Sequence, residues 1–200
     1  MNLLILGATG PTGQQLVAQA LEAGHHVAAL VRGESNLPPT AEVIRGDGRD
    51  PAAIAGAARG RDAVLSALGT SKSLKGGIAS RAAANLVAAN VKRLIFMSSF
   101  GVGDSFDDAS LPQKLMFRTL LRSIYADKAI ADATLQSSSL DWTIVRPVML
   151  TNGPHTGAYR LTEHLQPQGF PKISRADVAD FMIRELIERA WTRKTVVISA

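Results

Sequence analysis

The sequence predicts an α/β fold, a doubly wound parallel sheet in a three-layer α/β/α arrangement, and three observations predict it. Apolar runs of strand length alternate with helix-length segments along most of the chain, no tight hairpin joins consecutive runs, and the first run stops at a glycine-spaced turn that opens a helix. With 200 residues, 46% hydrophobic and 20% charged, one domain over residues 1–200 can bury a proper core. That composition excludes a disordered tail and a collagen-like or coiled-coil chain.

Leu3–Leu6 read as a strand buried on both faces, cut off by Gly7. From Gly13 to Ala23, Leu16, Val17, Ala20 and Leu21 recur at helical spacing, and Gly24 supplies the stop. Strands follow at His26–Val31 and Glu42–Ile44, then a helix over Pro51–Ala58 opened by Asp50 and proline, and a strand over Ala63–Ala67. Ile78–Val91 reads as helix and Leu94–Ser98 as strand. One long amphipathic helix is expected over Gln113–Leu135, with Leu120, Leu121, Ile124 and Leu135 on one side. Trp142–Val145 is the sixth strand. The Gly/Pro-rich stretch 151–171 reads as a loop excursion that contributes to a substrate site. A helix over Arg175–Arg189, with Ser174 and Asp177 as a capping box, and a strand over Thr195–Ser199 complete the chain.

The net charge of +5 and a pI of about 9.9 draw anions to the surface. The basic residues are scattered, with short pairs at Lys92-Arg93 and Arg193-Lys194, so they read as a solvated surface and argue against a nucleic-acid partner. Absence of cysteine removes disulfides, thiol nucleophiles and cysteine-ligated metals. His25 and His26 are adjacent and make no i, i+4 pair, so no metal site is expected. No glycine stands two residues before Ser98 or Ser99, so the nucleophile elbow of hydrolases is missing. Residues 2–6 are too few for a signal-peptide core, and no later stretch spans a bilayer. A cytoplasmic protein without a membrane partner is expected, with oligomerisation left open.

Function is most legible at Gly7-Ala8-Thr9-Gly10-Pro11-Thr12-Gly13. Gly7 permits a tight turn, Gly10 lets backbone approach a pyrophosphate, and Gly13 lets the helix pack on the strand, while amides at the helix start hold phosphate. This is the dinucleotide signature of Rossmann-like folds; a sharp turn without a ligand is the alternative. Arg32 follows the second strand where NAD-preferring domains carry an acid. A guanidinium there can clasp a 2′-phosphate, which favours NADP(H), although an arginine merely exposed after a strand is the plainer reading. Asp47-Gly48 falls where an adenine edge would lie, or is simply a turn-forming pair.

Together with Leu30-Val31-Arg32, Arg45-Gly46-Asp47, Leu68-Gly69-Thr70, Ser98-Ser99 and Gly153-Pro154-His155-Thr156-Gly157-Ala158-Tyr159, the glycine turn resembles the short, atypical members of the short-chain dehydrogenase/reductase superfamily. Within that superfamily, the chain is similar to the NADPH-dependent flavin reductase/biliverdin reductase B group. The resemblance implies that Gly7, Thr9, Gly10, Thr12 and Gly13 hold pyrophosphate, Arg32 the 2′-phosphate, and Asp47 with Gly48 the adenine. It also implies that Leu68, Gly69 and Thr70 line the cofactor, that Ser98 and Pro147 flank the nicotinamide, and that Lys128 bonds its ribose.

One departure is chemical. The superfamily's proton-donating tyrosine stands four residues before the lysine, but position 124 is Ile and Tyr125 lies about 100° away around a helix, so Tyr125 is read as a packing residue. Without a positioned phenol, simple ketones are poor substrates, whereas a flavin, quinone or linear tetrapyrrole spreads the incoming charge over its rings. Ser98, Lys128 and His155 are the candidate catalytic groups. Phe100, Phe106, Phe117 and Tyr159 are candidates to close over a planar acceptor, and Lys72 with Lys75 to attract its acidic groups. The expected activity is NADPH-dependent reduction of a small-molecule acceptor. The rivals are a redox sensor that binds NADP(H) and a protein partner without hydride transfer, and an RNA- or partner-binding module.

Overall fold

A computed structural model describes residues 1–69, 76–165 and 169–200. In chain order the elements are β1 (Asn2–Leu6), α1 (Pro11–Glu22), β2 (His26–Val31), β3 (Glu42–Arg45), α2 (Pro51–Ala58), β4 (Ala63–Ser66), α3 (Ala79–Ala88) and β5 (Arg93–Met97). Then come α4 (Ser105–Asp108), α5 (Leu111–Arg118), α6 (Arg122–Gln136), β6 (Asp141–Pro147), β7 (Met149–Thr151), β8 (Arg160–Thr162), β9 (Lys172–Ser174), α7 (Arg175–Glu188) and β10 (Lys194–Ser199). The main sheet runs β3-β2-β1-β4-β5-β6-β10-β8, with all neighbours parallel except β8, which pairs antiparallel with β10.

Burial of β1 on both faces explains the layers. Leu3 and Ile5 join a core with Leu16, Val17 and Ala20 of α1 and Val178, Ala179 and Met182 of α7. Leu4 and Leu6 join a second core with Ile54 of α2, Ala83 and Leu86 of α3, and Ala131 and Leu135 of α6. Alternate side chains of one strand thus feed opposite layers, as a sheet covered by helices on both faces requires. Asp50 caps α2 through Ala52 N at 2.9 Å, and Ser174 Oγ caps α7 through Asp177 N at 2.9 Å.

Three expectations change. Helix α1 begins at Pro11 rather than Gly13, because proline at the first helical position has no N–H to leave unsatisfied. The single helix over Gln113–Leu135 is two helices, α5 and α6, broken at 119–121. The rings of Phe117 and Tyr125 stack at 4.6 Å, whereas eight residues of continuous helix would separate them by about 12 Å. That stacking folds α5 back over α6, leaving Leu120 exposed and turning Leu121, Ile124 and Tyr125 inward. Finally, 151–171 is not wholly loop. It contains β8 at a sheet edge, and β7 and β9 form a small parallel pair at its borders.

Candidate functional site

Strand order reverses between β1 and β4, and a cleft of about 770 Å³ opens at the carboxyl ends of the strands around that point. One half is lined by Gly7, Thr9, Gly10, Pro11, Thr12, Val31, Arg32, Gly46, Asp47, Gly48, Leu68 and Gly69. The other half is lined by Ile78, Met97, Ser99, Leu121, Ile124, Tyr125, Lys128, Leu150 and Arg175.

Glycine is required in the first half. At Gly7 φ is +78°, and a Cβ would meet the Ala67 carbonyl oxygen at 2.6 Å. At Gly13 a Cβ would meet the Gly7 carbonyl oxygen at 2.0 Å, so Gly13 lies behind the turn, packing α1 on it, and is not part of the lining. A peptide turn this close to the start of α1 is a cradle that a side chain would fill, and its amides fit a pyrophosphate. Arg32 stands exposed at the end of β2. Beside it, both Asp47 oxygens are clamped by the Arg49 guanidinium at 2.6–3.1 Å, which holds that carboxyl down at about 2.

In the second half Lys128 is buried, and its Nζ donates to the Ser98 carbonyl at 2.8 Å and to Ser99 Oγ at 2.6 Å. Burial lowers its ammonium to about 8, against the opposing pull of Asp132 and Asp127. Tyr125 contributes its ring, but its hydroxyl donates to the Phe100 carbonyl at 3.0 Å, and burial raises its pKa well above the usual phenol value. Below the floor a polar network ties the elements together. Ser98 Oγ donates to Asp132 Oδ2 at 3.1 Å, and Arg146, buried in β6, donates to the same oxygen at 3.1 and 3.2 Å and reaches Asp104 on the surface.

Several sequence-predicted residues stand elsewhere. Ser98 lies outside the lining because its hydroxyl is turned to Asp132; Ser99 faces the cleft instead. Pro147 is buried at the end of β6, where its carbonyl accepts from Phe100 N at 3.0 Å, and is likewise outside the lining. His155 is exposed, with Nε2 3.4 Å from Asp180 on α7, because loop 152–158 is tied to that helix by Asp177 rather than folded over the cleft. Among the described residues, none of 151–171 lines the cleft. Phe100 and Phe117 are core residues, Phe106 packs against the same core, and Tyr159 packs edge-on to Phe181, so none of the four closes the site. Thr70, Lys72 and Lys75 lie outside the described residues.

Sequence reasoning missed Ser99, Ile78, Met97, Leu150 and Arg175. Only Ser99 and Arg175 carried a local signal, standing beside a strand end and at a helix start on the face of the glycine turn.

A glycine cradle at a strand–helix turn, opening on a long cleft at the switch point, defines a dinucleotide-binding protein with an oxidoreductase-like fold. Residues 7–189 match the NAD(P)H-binding family, and the chain belongs to it. YhfK of Bacillus subtilis (strain 168), described as an uncharacterized sugar epimerase, is 31% identical over 205 residues, covering 94% of this chain and 89% of its own. ChuY, an anaerobilin reductase from Escherichia coli O157:H7, superposes with a TM-score of 0.80 at 25% identity, covering 100% of this chain and 97% of its own. A short-chain dehydrogenase/reductase of wide type from Veillonella parvula DSM 2008, solved in complex with NADP, shares the fold. Its TM-score is 0.79 at 24% identity, covering 100% of this chain and 94% of its own. No helix among the described residues is long and apolar enough to cross a membrane.

Proposed function

We propose that this chain is an NADPH-dependent reductase that passes hydride to a small conjugated acceptor, a flavin, a quinone-like ring or a linear tetrapyrrole. The observation that carries the reading is the pairing, in one cleft, of an arginine-marked glycine cradle with an apolar chamber whose tyrosine hydroxyl is already spent on a backbone carbonyl. The amides after Gly10 hold the pyrophosphate, and Arg32 forks onto the 2′-phosphate, a group that NADH lacks. Bound there, the dinucleotide supplies hydride from its nicotinamide. Met97, Leu121, Ile124 and Leu150 keep water from the reacting rings and align them.

Protons come from Lys128 and Ser99. Ser99 Oγ accepts from the lysine ammonium, so its own hydrogen is left to donate into the cleft, and the lysine replaces it. An acceptor that spreads charge over conjugated rings asks little more. ChuY, an anaerobilin reductase, supports the acceptor class. The sugar-epimerase description of YhfK fits less well, because taking a proton from a sugar hydroxyl asks for a free base, whereas position 124 is Ile and the hydroxyl of the neighbouring Tyr125 is committed to Phe100.

The test is to mix the protein with NADPH or NADH and a flavin, a quinone, biliverdin or a simple ketone, following nicotinamide absorbance. NADPH should be consumed with the conjugated acceptors and not with the ketone. Tight NADP(H) binding without turnover on any acceptor would replace this reading with that of a redox sensor.

A further inference from the structure

We propose that Arg175 binds an oxyanion carried by the acceptor, a carboxylate or a phosphate, so that the acceptor is a conjugated ring with an acidic arm. The inference rests on the reductase reading and narrows its substrate class.

Arg175 is the first residue of α7, half-buried, and lines the cleft with Leu150. Its Nη1 donates to Asn152 Oδ1 at 2.7 Å, which fixes the plane of the guanidinium. None of the ion pairs among the described residues involves it. Asp177, the acid in the first turn of the same helix, is spent elsewhere. It accepts from Thr156 N at 2.7 Å, Gly157 N at 3.0 Å, Thr156 Oγ1 at 3.0 Å and Ser174 Oγ at 2.8 Å. Asn152 orients the guanidinium and leaves its charge uncompensated.

The other charges that line the cleft among the described residues have occupations. Asp47 is clamped by Arg49, Lys128 is held by Ser98 and Ser99, and Arg32 stands at the strand end that receives a 2′-phosphate. Among the described residues of the lining, Arg175 is therefore the cation left over, set beside apolar walls where a charge-assisted fork is strong and where leaving it empty wastes an ordered donor. A flat ring against Leu121, Ile124 and Leu150 with an acidic arm on Arg175 satisfies both surfaces.

Equilibrium titrations of the protein saturated with NADP⁺ test this with two pairs of probes, each pair sharing one ring system: FMN against riboflavin, and biliverdin against its dimethyl ester. The first pair reads a phosphate source and the second a carboxylate source. The charged member of at least one pair should bind tighter by about tenfold or more, the preference should shrink as salt is added, and Arg175→Ala should erase it. Equal affinity within both pairs overturns the proposal, as does a preference that survives in Arg175→Ala. A loss of NADP⁺ affinity in that variant also overturns it, because the guanidinium would then belong to the dinucleotide. Should Arg175→Ala fold poorly, the unmodified protein decides, since a preference indifferent to salt is not an ion pair. Equal affinity within both pairs in a protein that still oxidises NADPH with these acceptors sinks this inference alone; a protein that binds no NADP⁺ sinks the reductase reading beneath it.

Discussion

The glycine-turn half of the cleft takes Gly7, Thr9, Gly10, Pro11 and Thr12 from one unbroken stretch and Arg32 and Asp47 from the next two strand ends. The far half takes Met97, Ser99, Ile124, Lys128, Leu150 and Arg175 from β5, the turn after β5, α6, β7 and α7. Backbone does the work in the first half, where contacts are fixed by φ and by the absence of Cβ atoms. In the second half side chains do it, and each is placed by an element whose position depends on long-range packing. Substitutions in the first half should therefore act steeply and together, and those in the second should separate into distinct readouts.

Gly13→Ala offers the sharpest break of that contrast. Its Cβ would sit 2.0 Å from a carbonyl oxygen that cannot move without dragging the whole turn, so α1 must shift off β1. A loss of about 3 kcal/mol in urea unfolding is expected, with NADPH binding abolished in whatever remains folded. A variant with normal stability and normal NADPH titration would show that the turn is more yielding than its packing says.

The same contrast explains what the sequence could disclose. β1, β2 and the capped α2 were legible because each depends on local pattern, and the glycine spacing exposed half of the site. The break at 119–121 was hidden because a stacking contact between Phe117 and Tyr125 overrides the amphipathic period. Arg160–Thr162 is too short to announce a strand and exists by pairing with β10. The choice between Ser98 and Ser99 was illegible for the same reason, since a carboxylate far along the chain, Asp132, captures the first hydroxyl.

Lys128→Met removes the one ammonium that the far half buries among the described residues. The lysine ammonium feels Asp127 and Asp132 on its own helix, with Arg146 of β6 bound to Asp132, and burial nonetheless brings its pKa down to about 8. The ammonium is present below that pH and lost above it, so acceptor reduction should fall as pH rises through about 8. The variant should be slower by about a hundredfold below the transition and flat across it. A profile unchanged by the substitution would remove Lys128 from proton transfer.

A smaller effect is expected at Arg32, which contributes one exposed side chain to a cradle built mainly of backbone. Arg32→Ala should weaken NADPH binding by about tenfold or somewhat more and leave NADH untouched, as read by calorimetry. Equal losses for the two dinucleotides would mean that Arg32 shapes the groove without meeting the 2′-phosphate.

Tyr125→Phe should do least, and that is its value. The ring keeps its 4.6 Å stack on Phe117 and its place in the cleft wall; only the donation to the Phe100 carbonyl is lost. A cost of about 1 kcal/mol in unfolding is expected from that one hydrogen bond. Reduction of a flavin or quinone should stay within about twofold of the parent, because general acid catalysis would show itself as a loss of about a hundredfold. A hundredfold loss would mean that the hydroxyl leaves Phe100 when the cleft fills, and would give back to Tyr125 the proton-donating role that its hydrogen bond in this structure denies it.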